Sequence, residues 1–185
     1  MDLSAQDKVV VGLIADTHGF LEPALLPVLN QTDVIIHAGD ILNPAVLTEA
    51  TPRSGHVLAV RGNNDTPEQW PAGTAHFLDN LPLQCSLQLP GGLLTAEHGH
   101  KVTPARTRHE KLRQRHQTSR AIVYGHTHRR IIDQTQVPWI LNPGAAGRIR
   151  AIGGAGCLLL TATTGEWLID EFICPRTRRR TPNRS

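Results

Sequence analysis

Apolar runs closed by turn residues recur along this chain of 185 residues. Residues 9–15 form a short, nearly continuous apolar run, which predicts a buried strand. Residues 23–30 predict a short helix with proline near its start. Residues 34–38 predict the next strand, and 44–50 a short helix broken by Thr51-Pro52. A third strand is expected over 57–61, completing a βαβαβ unit and implying a parallel sheet with right-handed crossovers. The pattern then changes. Residues 83–89 alternate apolar and polar positions, Pro90-Gly91-Gly92 turns the chain, and 93–97 predict the hairpin partner. Residues 103–117 predict a polar, basic helix, with Thr103 as N-cap and Pro104 at the first position. Residues 121–124 return to the core. Short strands are expected at 130–135 and 139–141, and longer ones at 157–163 and 167–174, with Gly165 at the last turn. Parallel strands early and antiparallel strands late suggest two sheets packed face to face and flanked by helices.

The length suits one domain with a substantial core. No run of about 18 apolar residues marks a membrane span, and the polar N-terminus lacks a signal-peptide pattern, so a cytoplasmic protein is expected. Cys85, Cys157 and Cys174 are odd in number and widely spaced, which predicts reduced, buried thiols rather than a disulfide framework or thiolate metal site. The net charge of +3 is a property of the C-terminal end. Five arginines lie within 176–184; without them 14 basic residues face 16 acidic ones. The tail, 176–185, is expected to be disordered, with contact to nucleic acid as the alternative. The basic positions of the 103–117 helix (Arg106, Arg108, Lys111, Arg113 and Arg115) and its His109 and His116 read as a solvated face, and His37 as a core residue.

Five polar clusters change this picture. Asp16-Thr17-His18, Gly39-Asp40, Gly62-Asn63-Asn64-Asp65, His98-Gly99-His100 and Gly125-His126-Thr127-His128 each follow a predicted strand. Singly, each reads as a turn or cap. Together they gather Asp, His and Asn at one end of a sheet, where open α/β sheets place their ligands. These donors without Cys favour Mn²⁺, Fe²⁺, Zn²⁺ or Co²⁺ over a soft ion. Two such ions need a shared carboxylate to sit close together, and Asp40 is the candidate.

The succession Asp-x-His, Gly-Asp, Gly-Asn-x-Asp, His-Gly-His and Gly-His-Thr-His resembles the calcineurin-like metallophosphoesterases, especially their compact bacterial and archaeal phosphodiesterases. The resemblance runs from Val9 to about Cys174 and includes Asn142-Pro143-Gly144-Ala145. It implies an α/β fold of four layers, an αββα sandwich of two mixed sheets between helices, as a single domain over 1–175. It also implies two divalent ions, Mn²⁺ foremost, with Fe, Zn, Co, Ni or Mg as alternatives. Asp16, His18 and His128 would hold one ion, Asn63, His98 and His126 the other, and Asp40 would bridge them. A metal-bridging hydroxide would then attack phosphorus in line. Many relatives carry a leaving-group-protonating His after the ligand Asn. Here Asn64 stands there and can only hydrogen-bond a phosphate oxygen, so a preference for diesters with good leaving groups is expected. His100 is a second candidate near the leaving group, and Arg148 or Arg150 can reach a substrate phosphate. The substrate class is a small phosphodiester or nucleotide-like compound. Two other readings share this fold: a phosphomonoesterase or nucleotidase, and a non-catalytic interaction module such as the related retromer subunit.

Overall fold

The computed structural model describes residues 1–174; the basic tail lies outside the described residues. The strands are β1 (Lys8–Ile14), β2 (Val34–His37), β3 (Val57–Ala59), β4 (Gln84–Leu89), β5 (Gly92–Glu97), β6 (Ala121–Tyr124), β7 (Ile131–Asp133), β8 (Trp139–Asn142), β9 (Gly156–Thr163) and β10 (Trp167–Ile173). They form two mixed five-stranded sheets, ordered β10-β9-β1-β2-β3 and β4-β5-β6-β8-β7. The expected parallel unit β1-β2-β3 is present. Parallel pairing also occurs late in the chain, at β5-β6 and β6-β8. The helix α3 (Arg108–Arg115) supplies the crossover between β5 and β6 that parallel neighbours require.

The strands alternate faces, and this builds the layers. Val9, Val11 and Leu13 of β1 and Val34 and Ile36 of β2 point inward, against Leu87, Leu94, Val123 and Leu141 of the other sheet. Ile14 and Ile35 point the opposite way, beneath Leu25, Leu29 and Val46. On the outer face of the second sheet, Ile122, Tyr124 and Ile140 pack against Leu112 of α3. Four layers result.

The helices differ most from expectation. The segment predicted at 23–30 is a 3₁₀ turn, Pro23–Leu25, followed by α1 (Leu26–Leu29). Pro27 lacks the N–H that a longer helix would need. The segment predicted at 44–50 shortens to α2 (Val46–Glu49). Thr103 is not a cap: a 3₁₀ turn starts at Ala105, and α3 begins only at Arg108. Nor is α3 a uniformly solvated face. Arg108 is buried and donates from Nε to the Val102 carbonyl (3.3 Å), and Arg113 pairs with Asp133 (2.7 Å). His116 is buried on Glu97 (2.8 Å), and His109 lies 3.0 Å from the Tyr124 hydroxyl. An unpredicted 3₁₀ helix spans Ala75–Asn80.

The loops after β2 and β3 are tied by one carboxylate. Asp65, fully buried, accepts N–H bonds from Asp40 (2.9 Å), Ile41 (2.8 Å), Leu42 (3.0 Å) and Gly62 (2.7 Å), and from the Trp70 indole (3.0 Å). Asp65→Asn would turn an amide NH₂ toward donors that need an acceptor. It is expected to lower unfolding stability by about 2–4 kcal/mol, measured by urea denaturation, whereas exposed Asp7→Asn should stay within about 0.5 kcal/mol. A loss at Asp65 no larger than at Asp7 would contradict the tie.

Candidate metal centre

Five strand ends deliver the candidate ligands to one place. Asp16 and His18 follow β1, Asp40 follows β2, Asn63 follows β3, His98 follows β5, and His126 and His128 follow β6. Backbone bonds hold the first two loops edge to edge: Asp16 N–H to the Gly39 carbonyl (3.0 Å) and His18 N–H to the Asp40 carbonyl (3.0 Å). The second sheet joins through His126, whose N–H donates to Asp16 Oδ1 (3.1 Å).

All seven candidate ligands converge. His18 Nε2 and His128 Nε2 are 3.1 Å apart, and His128 Nε2 is 3.6 Å from Asp16 Oδ1. On the other side Asn63 Oδ1 is 3.2 Å from His98 Nε2 and 3.0 Å from His126 Nδ1. Asp40 lies between the groups, with Oδ2 3.8 Å from His18 and Oδ1 3.3 Å from His98. Five of the seven adopt left-handed backbone: Asp16 (φ 53°), His18 (47°), Asp40 (58°), His126 (69°) and His128 (56°). Non-glycine residues seldom do so, at a cost of about 1–3 kcal/mol each, and such strain clusters at functional sites. Close approach requires glycine at Gly62, where a Cβ would collide with the Asp40 carboxylate and backbone nitrogen.

The ring tautomers suit metal binding. His98 Nδ1–H donates to the Ala38 carbonyl (2.8 Å) and His128 Nδ1–H to the Ile149 carbonyl (3.0 Å), turning both Nε2 atoms inward. Below the site, His37 is buried. It accepts the Gly39 N–H at Nδ1 (3.2 Å) and donates from Nε2 to Thr17 Oγ1 (2.9 Å). Burial pushes it down to about 4, so it stays neutral and structural.

Charge in the cluster is uncompensated. Burial pushes the Asp16 carboxyl up to about 7, and its Oδ2 is buried with no hydrogen-bond partner among the described residues. Burial, then the charge of His98, holds His126 down to about 4. Burial alone would raise Asp40, but the hydrogen bond and charge of His98, with donors from Asn64, hold it well below the carboxylate range. A buried, partnerless carboxylate oxygen beside inward-facing imidazole nitrogens is what a divalent cation would satisfy, so the residues fit a metal. Two groups have donor atoms close enough to share one ion: Asp16, His18 and His128, and Asp16, Asp40 and His98.

The remaining candidates take other positions. Asn64 donates both its backbone N–H (2.9 Å) and its side-chain amide (2.7 Å) to the two Asp40 oxygens; in this arrangement it holds Asp40 instead of facing a substrate. His100 stands outside the cluster, its ring centroid 5.4 Å from that of His98, with Nδ1 buried and unpartnered. Arg148 turns away, stacked on Phe20 (3.8 Å to the ring centroid) and 3.6 Å from Glu22. Arg150, in left-handed backbone, reaches the cluster with its guanidinium 3.2 Å from His128 Nε2. Sequence reasoning assigned no role to Asp65 or Asn142. Asn142 donates to the Gly125 carbonyl (2.9 Å) and Thr127 Oγ1 (3.1 Å), bracing the His126–His128 loop. The signal for Asp65 was its place in the Gly-Asn-Asn-Asp cluster.

The profile of the calcineurin-like phosphoesterase superfamily domain matches residues 9–165. A probable metallophosphoesterase of Methanocaldococcus jannaschii is 29% identical over 143 residues, covering 74% of this chain and 68% of its own length. A phosphodiesterase of the same organism is 24% identical over 159 residues, covering 80% and 91%. Among solved structures, a single mutant of Vps29 from Entamoeba histolytica superposes with a TM-score of 0.70 at 20% identity, covering 88% of this chain and 91% of that one. That likeness concerns the fold. Because the profile spans most of the chain and takes in every loop of the cluster, the chain belongs to the calcineurin-like phosphoesterase superfamily.

Proposed function

We propose that this chain is a phosphodiesterase working with two divalent ions, Mn²⁺ foremost. The observation that carries the reading is the convergence of seven Asp, His and Asn side chains, one of whose carboxylate oxygens, Asp16 Oδ2, is buried without a hydrogen-bond partner among the described residues. Asp16, His18 and His128 would hold one ion, Asn63, His98 and His126 the other, with Asp40 shared. When bound, such a pair lowers the pKa of coordinated water and withdraws charge from a phosphoryl group. The chain supplies the rest. Asn64 fixes the plane of Asp40 through bonds to both oxygens. Arg150 stands where a guanidinium can pair with a phosphate oxygen, so it replaces Arg148 as the proposed phosphate contact. With Asn64 occupied and no imidazole in its place, leaving-group protonation is weakly served, which favours diesters that leave as stable anions. The phosphodiesterase relative supports a diester over a monoester.

Hydrolysis of bis-p-nitrophenyl phosphate by metal-stripped protein should return on adding Mn²⁺, and His126→Ala should reduce it by at least about 100-fold. Inactivity with Mn²⁺, Fe²⁺, Zn²⁺, Co²⁺, Ni²⁺ and Mg²⁺ alike would favour a non-catalytic interaction module instead.

Arg150→Ala should raise KM about tenfold with a smaller change in kcat, exceeding the effect of Arg148→Ala. Steady-state kinetics on the same ester decide this, and the reverse order would return the phosphate contact to Arg148.

A further inference from the structure

We propose that a groove beside the cluster holds an anionic arm of the substrate, so that the favoured substrate is a phosphodiester with a further phosphate on one ester arm. This rests on the phosphodiesterase reading and adds what lies beyond the scissile phosphate. Two cavities flank a ridge made by His100 and Lys101. One, of about 460 Å³, opens beside Asn63 and is walled by Arg61, Leu81, Leu83 and Lys101. The other, of about 250 Å³, opens beside His98 and is walled by Leu83, Glu97, Lys101 and Arg115. Each touches a candidate metal ligand, so a group leaving the cluster on this side enters one or the other.

Their chemistry is one-sided. The carboxylate of the larger cavity, Asp65, is saturated by five N–H donors. That of the smaller, Glu97, is held by Arg115 (3.0 Å) and His116 (2.8 Å). Arg61 is anchored by its Nε–H on the Asp65 carbonyl (2.9 Å). Among the described residues, neither Arg61 nor Lys101 forms an ion pair with a carboxylate, and Lys101 is exposed. Two cations uncompensated by carboxylates among the described residues therefore face a space that also offers an apolar patch, Leu81 and Leu83, the latter half exposed (51%). The larger cavity falls in the range of small-molecule sites and exceeds what a lone phosphate fills. A sugar-sized spacer against Leu81 and Leu83, ending in a phosphate near Lys101 and Arg61, matches both its size and its charge.

The probes are the p-nitrophenyl ester of thymidine 5′-phosphate and the same ester carrying a 3′-phosphate, used with the Mn²⁺-loaded protein. The 3′-phosphate should raise kcat/KM about tenfold. Lys101→Ala should remove most of that preference, and Lys101→Arg should keep it. No preference in the wild type, or an undiminished one in Lys101→Ala, overturns the groove. If neither ester is hydrolysed, the phosphodiesterase reading fails, and calorimetric titration decides the groove separately. Thymidine 3′,5′-bisphosphate should bind about tenfold tighter than thymidine 5′-phosphate, an advantage lost in Lys101→Ala. Equal affinities overturn the proposal.

Discussion

The arrangement hangs on the Asp65 carboxylate. Its two oxygens offer about four lone-pair directions, and five N–H groups fill them: Ile41, Leu42 and the Trp70 indole on Oδ1, Asp40 and Gly62 on Oδ2. Those donors come from the loops after β2 and β3 and from the segment beyond. A charge buried in water's absence is tolerated only when donors surround it. Here the same donors are the backbone of the residues that present Asp40 and Asn63. The tie sets the left-handed conformation at Asp40 (φ 58°) and brings Gly62 so near that only glycine fits. The site geometry is thus a by-product of satisfying one buried anion.

Asp16 is the opposite case. It is as deeply buried as Asp65, yet one of its oxygens has no partner. Two carboxylates at the same end of the first sheet, after β1 and after β3, therefore divide the work. One is neutralised by the backbone and makes a scaffold; the other is left short of positive charge and makes a site. Around the second, five residues hold unfavourable backbone torsions. Such torsions persist where the surrounding structure holds them, and the strands β1, β2 and β6 that lead into these loops are buried in the apolar layers.

Several strands were legible because they are buried on both faces, and such strands read as uninterrupted apolar runs. Val34–His37 and Ala121–Tyr124 are buried throughout. The seven converging residues were legible because each lies just past a predicted strand. Helix extents were not, since Pro27 and the residues before Arg108 break a pattern that composition alone leaves helical. Nor could the fates of Arg108 and His116 be read. Both are polar side chains on a basic helix, and only the fold supplies their buried partners, the Val102 carbonyl and Glu97. Arg148 and Arg150 are equivalent in sequence; Phe20 and Glu22 capture one, leaving the other beside His128.

Asn64 shows why a departure from a family pattern need not be a loss. A carboxylate that two cations would share has to be held in one orientation, and donors on its oxygens can do that. Asn64 provides two at once, its backbone N–H on Oδ1 and its amide on Oδ2. An imidazole on the same backbone would retain the first bond and would have only a ring N–H to offer in place of the second. The Asn64 side chain is taken up in orienting Asp40, so on the phosphodiesterase reading proposed above the proton for the departing oxygen would come from another group. On that reading the leaving-group preference and the orientation of Asp40 have one origin, the side chain at position 64.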